Sequence, residues 1–127
     1  MNYFYGNIEE LTLANDDFRQ VIYTGPQSQL VLMTLQAGEE IGFEVHNEND
    51  QFFRLEEGKA EFTINEDAFV VGADEAVIVP RGAKHNVRNV GEGALRLYTI
   101  YTPAHHPDGT VHHTKAEADA YEEAGDH

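Results

Sequence analysis

A chain of 127 residues fits one domain around one hydrophobic core, and a 41% hydrophobic content is enough to fill it. The absence of cysteine excludes disulfides and thiolate ligands, so any metal must be held by His, carboxylate, amide or water. A formal charge of −15, from 23 acids against 8 bases, makes nucleic acid and anionic membranes poor partners.

The lysines are confined to positions 59, 84 and 115. Such a surface suits ordinary acidic solubility and also a high-salt habitat, where counter-ions screen self-repulsion. The opening "MNYFYGNIEELTL" has no basic start and no long apolar run, and no segment approaches transmembrane length. A cytoplasmic protein is expected. The N-terminal "YFYGNIEELTL" suits a segment lying on a partner subunit.

From Phe18 to Thr102 the chain is a series of short apolar or alternating runs separated by turn signals. "FRQVIYT" stops at Gly25-Pro26, "SQLVLMTL" at Ala37-Gly38, and "IGFEVH" at the polar cluster 47–50. "QFFRLEEG" ends at Gly58, "KAEFTIN" turns at Glu66-Asp67, and "AFVVG" turns near Asp74. "AVIVP" ends at the Pro80-Arg81-Gly82 bend, "KHNVRNV" at 91–93, and "ALRLYTIYT" at Pro103. Eight or nine strands follow, with no helical period among them. The expected fold is all-β, a sandwich or barrel of jelly-roll type, occupying residues 1–127 as a single domain with its barrel over about 18–102. Residues from 103 begin irregularly with Pro and Asp-Gly turn chemistry. "TKAEADAYEEA" then reads as a C-terminal helix, capped by Thr114 with Glu117 and ending near 125.

Residues two apart in a strand share a face, so Glu44 and His46 point the same way. Inside a mostly apolar shell, an acid and an imidazole need a partner or a cation. A second polar intrusion, His85, follows the Pro80-x-Gly82 turn.

These two stretches resemble the two motifs of the cupin superfamily. The first motif, G-x5-H-x-H-x4-E-x6-G, is matched by Gly38, His46 and Gly58, with Glu44 in place of the first histidine and Gln51 in place of the glutamate. The second, G-x5-P-x-G-x2-H-x3-N, is matched by Pro80, Gly82, His85 and Asn89, while Gly72 falls two residues too early for its leading glycine. The whole chain is similar to small bacterial single-domain cupins loosely labelled mannose-6-phosphate isomerase-like. The resemblance implies a double-stranded β-barrel holding one divalent metal, with Glu44, His46, Gln51 and His85 as the ligand positions. Two imidazoles and a carboxylate suit Fe, Mn, Co or Ni, with Zn also compatible. In the competing arrangement the barrel holds no metal and Glu44 hydrogen-bonds His46 or His85.

Phe53, Leu55, Phe62, Ile64, Val77 and Val79 are expected to face inward. Leu95, Leu97, Thr99 and Tyr101 share a face, and Tyr101 could offer a hydroxyl to a ligand near the mouth. Arg81, Lys84 and Arg88 could hold a phosphate or carboxylate tail, or bridge to surface acids. His105, His106, His112 and His113 flank the Pro107-Asp108-Gly109 turn. Adjacent histidines are expected to point apart, and a tail folding back as a lid is favoured over a second metal site.

The resulting expectation is a metal-dependent enzyme acting on a small oxygen-rich molecule, of sugar or keto-acid isomerase or oxygenase type. Glu44 could move a proton if it is not a ligand. The alternative is a non-catalytic small-molecule binding or sensor barrel with a weak or absent metal site. A homodimer is expected from the fold resemblance.

Overall fold

The computed structural model describes residues 1–124. The expected helix end at 125 lies outside the described residues. The alternating runs become β1 (Arg19–Thr24), β2 (Gln29–Leu35), β3 (Glu44–Val45), β4 (Asp50–Glu57) and β5 (Lys59–Ile64). They continue as β6 (Asp67–Gly72), β7 (Ala76–Val79), β8 (Lys84–Asn89) and β9 (Leu95–Thr102). A short β10 (Val111–His112) and two helices, α1 (Ile8–Ala14) and α2 (Lys115–Ala124), complete the described chain.

The strands form two antiparallel sheets, ordered β10-β1-β2-β9-β4-β7 and β3-β8-β5-β6. Register explains which side chains meet. In the larger sheet Val31 stands opposite Thr99, Met33 opposite Leu97, and Leu35 opposite Leu95. Phe53 and Leu55 continue that inner face through the β4–β9 pairing. The smaller sheet supplies Ala60, Phe62 and Val87. The sheets meet where the Phe53 ring stands edge-on to Phe62, with centroids 5.1 Å apart. Each such buried large apolar side chain contributes about 1.5–3 kcal/mol. Of the residues expected inside, Ile64 alone is half-buried at the core's margin.

Two elements depart from expectation. The N-terminal segment contains α1, whose Asn7 side chain accepts from Glu10 N at 3.0 Å. That Asn-x-x-Glu pattern is a readable start signal, obscured by the aromatic residues before it. The helix packs on β2, β4 and β9 of its own chain. In the C-terminal segment, β10 pairs with β1, placing His112 opposite Arg19. The α2 cap is as expected: Thr114 Oγ1 accepts from Glu117 N at 3.1 Å.

The motif positions have structural work. Gly58 has φ +96°, and a Cβ there would lie 2.8 Å from the Ala94 carbonyl oxygen. Asn89 donates to the carbonyls of Leu35 and Gly93 and accepts from Gly91 N, tying three segments together. The missing second-motif glycine is explained by Asp74, which takes the same place with φ 70°. Aspartate is among the few side chains that tolerate this left-handed region.

Asp74→Ala is therefore expected to lower stability by about 1–2 kcal/mol in chemical denaturation, with Asp74→Gly at least as stable as wild type. Equal stability of all three chains would contradict this account.

A pH effect comes from the C-terminal segment. His113 Nδ1 lies 2.7 Å from Asp17 Oδ1, and this contact raises the His113 pKa above its usual 6.5. A raised folded pKa means the contact's stabilisation is complete below about 6.5 and is lost as pH rises through the folded value. Asp17→Asn is expected to return the His113 NMR titration to the ordinary range and to remove that pH dependence. An unaltered titration would count against the contact.

Candidate metal centre

Pairing of β3 with β8 sets Glu44 opposite His85. This joins the two motif stretches, and Gly82 N donates to His46 O at 2.9 Å to hold the next residue in line. Gln51 enters from the other sheet, opposite Val79 on one side and Tyr101 on the other. Glu44, His46 and His85 thus meet between the sheets, with Gln51 buried on the facing sheet.

Glu44, His46 and His85 each offer a ligand atom, and these atoms lie within 4.8 Å of one another. His46 and His85 are 6% and 3% exposed. The His85 tautomer is set by Ala83 O, 3.2 Å from Nδ1. A carbonyl can only accept, so Nδ1 carries the proton and Nε2 keeps a lone pair for a ligand. His46 Nε2 is buried without a hydrogen-bond partner, and its nearest acid, Glu44 Oε1, stands 3.6 Å away. Gln51 Nε2 donates to Thr99 Oγ1 at 3.0 Å, while its Oε1 is buried and unpartnered. Buried polar atoms without partners are costly, and a cation would satisfy the Gln51 oxygen and, in its unprotonated form, the His46 nitrogen. The donor set therefore fits a metal ion, and the Glu/His/His cluster could bind one.

Electrostatics support the ligand forms. Burial pushes the Glu44 carboxyl up, but the neighbouring His46, with Arg19 and His85, holds it below the usual carboxylate range. Burial lowers the His85 pKa, only partly offset by its bond to Ala83, and keeps the imidazole neutral.

A cavity of about 560 Å³ opens on this cluster, lined by Glu44, His46, His105, His106, Tyr121 and Glu122 among others. The His-rich segment thus folds back over the mouth, and its histidines divide. His105 and His106 both turn to the cavity, with rings 4.8 Å apart, contrary to the expectation that neighbours point away from each other. His112 contacts Arg19 and His113 contacts Asp17. The scaffold that fixes the first pair is Gln29, fully buried. Its Oε1 accepts from the backbone N–H of His105 and His106, and its Nε2 donates to His106 O. Asn49 anchors the other side through the carbonyls of Pro103 and Ala104. Gln29 shares strand parity with Val31 and Met33, so a polar residue on an inward face was the available signal.

The His105 ring stacks on Tyr101 and lies 4.2 Å, centroid to centroid, from His46. Tyr101 is 2% exposed, and its hydroxyl is engaged with His106 Nε2 at 3.2 Å. Burial pushes its pKa up, so it stays protonated and braces the histidine wall. Burial likewise drives His106 down to about 2. Arg81, Lys84 and Arg88 do not line this cavity. Arg88 pairs with Glu61, and Lys84 lies over the Phe43 ring.

Comparison with known proteins agrees with this geometry. A model of the cupin domain matches residues 31–101. The uncharacterized protein YrkC of Bacillus subtilis is 44% identical over 127 residues, covering 94% of this chain and 68% of that protein. The crystal structure of BH2720 from Bacillus halodurans superposes with a TM-score of 0.92 at 44% identity, covering 94% of this chain and 95% of that one. The cupin domain of Schizosaccharomyces pombe Cnp3 gives a TM-score of 0.65 at 28% identity, over 68% of this chain and 64% of that one. A matching family model over more than half the chain, two paired motifs and a jelly-roll topology lead to one conclusion: the chain belongs to the cupin superfamily.

Proposed function

We propose that this chain binds one divalent metal through Glu44, His46 and His85, with Gln51 supplying a neutral oxygen, and acts as a metal-dependent enzyme on a small oxygen-rich metabolite. The observation that carries this reading is the convergence of ligand atoms of Glu44, His46 and His85 within 4.8 Å, with His46 Nε2 and Gln51 Oε1 buried and without hydrogen-bond partners. Two imidazoles and one carboxylate are donor types that would suit Fe, Mn, Co or Ni, with Zn compatible.

When bound, such an ion supplies Lewis acidity toward a carbonyl or hydroxyl oxygen. The chain's own residues do the rest. Glu44 is ionised and partly open to the cavity, with 27% of its side chain exposed, so it can hold a cation or accept a proton from a ligand hydroxyl. His85 is neutral and is oriented by Ala83. His105, at the rim, presents its ring to whatever enters. Gln29 keeps that wall fixed, so the ligand meets a preformed surface. Isomerisation of a sugar or keto acid and oxygenase-type chemistry both match this donor set.

A second reading rests on the 3.6 Å approach of Glu44 to His46, which lets the two groups compensate each other without a metal. The barrel would then be a non-catalytic small-molecule binding or sensor module.

Elemental analysis separates the two. Wild-type protein is expected to carry roughly one metal per chain, lost in His46→Ala and in His85→Ala. Gln51→Glu adds a second carboxylate and is expected to tighten metal affinity about tenfold or more. A folded wild type whose metal content stays near zero after incubation with divalent ions would overturn the enzyme reading in favour of the sensor.

A further inference from the structure

The two imidazoles of the cluster are held in different ways. His85 is fixed by the hydrogen bond from Nδ1 to Ala83 O. His46 has no such tie. Its Nε2 is buried without a partner, and no hydrogen bond to its Nδ1 is found among the described residues. Glu44 Oε1, at 3.6 Å from Nε2, is too far to make a hydrogen bond. A metal-ligating histidine is ordinarily oriented by a bond through its other ring nitrogen, so the His46 ring needs another means of orientation.

Open space borders this ring. His46 lines the cavity of about 560 Å³ and also a smaller one of about 310 Å³, bounded by Asn47, Glu48 and Asn49. Val45, His46 and His105 belong to the walls of both. What packs against the His46 ring is aromatic. The His105 ring is nearest, 4.2 Å away between centroids and tilted by 59°. His85 follows at 5.3 Å, and Tyr101 stands edge-on at 5.7 Å. His85 and Tyr101 come from β8 and β9, whereas His105 comes from the segment beyond β9 that crosses the mouth.

His105 is itself well held. Its ring stacks on Tyr101 at 5.3 Å with planes 24° apart, and its backbone N–H donates to Gln29 Oε1. The preceding Pro103 and Ala104 are tied down by Asn49. His105 does not belong to the three residues whose ligand atoms converge, so it meets the centre through the His46 ring.

We propose that His105 is a positioning residue for the metal centre: pinned on Tyr101 and anchored by Gln29, its ring holds the plane of the His46 imidazole and so directs His46 Nε2 toward Glu44 and His85. The orientation itself stands on the geometry of the chain alone, while its consequence for metal affinity rests on the proposed function. A ring contact of this kind fixes a plane through packing, so phenylalanine can take the place of His105 and alanine cannot.

Imidazole NMR of the metal-free chains, followed by titration of the same chains with Co²⁺, provides the test. The wild-type His46 ring is expected to give a single set of resonances with nuclear Overhauser contacts to His105 and Tyr101. In His105→Ala that set is expected to broaden or average over rotamers, and Co²⁺ affinity to fall about tenfold or more, with roughly one ion per chain still bound at saturation. His105→Phe is expected to restore both the spectrum and most of the affinity. Unaltered His46 resonances and affinity in His105→Ala overturn the proposal, even if its melting temperature falls, because a merely structural role moves stability alone. A His105→Phe chain as weak as His105→Ala also overturns it, in favour of direct ligation by His105. If wild type takes up no Co²⁺, the proposed function fails, and the His46 spectra of the metal-free chains still decide the orientation.

Discussion

The pairing of a two-residue strand with β8 governs what this barrel can do. Setting Glu44 opposite His85 brings two segments forty residues apart in sequence onto one interior surface. Without that register, an acid and two imidazoles would be scattered through an apolar interior, each needing its own partner. With it they converge, and their unmet bonding capacity becomes a site. The rest of the fold serves that convergence. Gly82 closes the bend that delivers His85, Gly58 allows β4 to turn tightly beneath Ala94, and Asn89 locks the far end of β8.

Much of this was legible in the sequence because strand alternation is a short-range signal. The inward parity of Gln51, Phe53 and Leu55, and of Leu95, Leu97, Thr99 and Tyr101, follows from a period of two and agrees with their burial. The co-facing of Glu44 and His46 could be read in the same way. What could not be read is set by contacts distant in sequence. Nothing local to "PAHHPDGTVHH" tells that Gln29, more than seventy residues earlier, will hold it across the mouth. The pairing of β10 with β1, which brings His112 to Arg19, is equally non-local. The helix α1 is a different case: its cap is local, but its aromatic flank and its short length masked the pattern.

The three departures from the cupin motifs are of two physical kinds. Asp74 replaces a glycine and keeps its backbone conformation, so the fold is unaffected. Glu44 and Gln51 stand at the motif's ligand positions and change the donor types there. One carboxylate remains, but it enters from β3 rather than β4. The neutral amide oxygen of Gln51 is held in place by Thr99.

The central claim is that Glu44, His46 and His85 form a metal site, and anomalous diffraction from crystals of metal-supplemented protein tests it most directly. The account predicts an anomalous peak at the absorption edge of the bound metal, within coordination distance of Glu44 Oε, His46 Nε2 and His85 Nε2. A barrel without that peak, with Glu44 and His46 hydrogen-bonded to each other in its place, would contradict it.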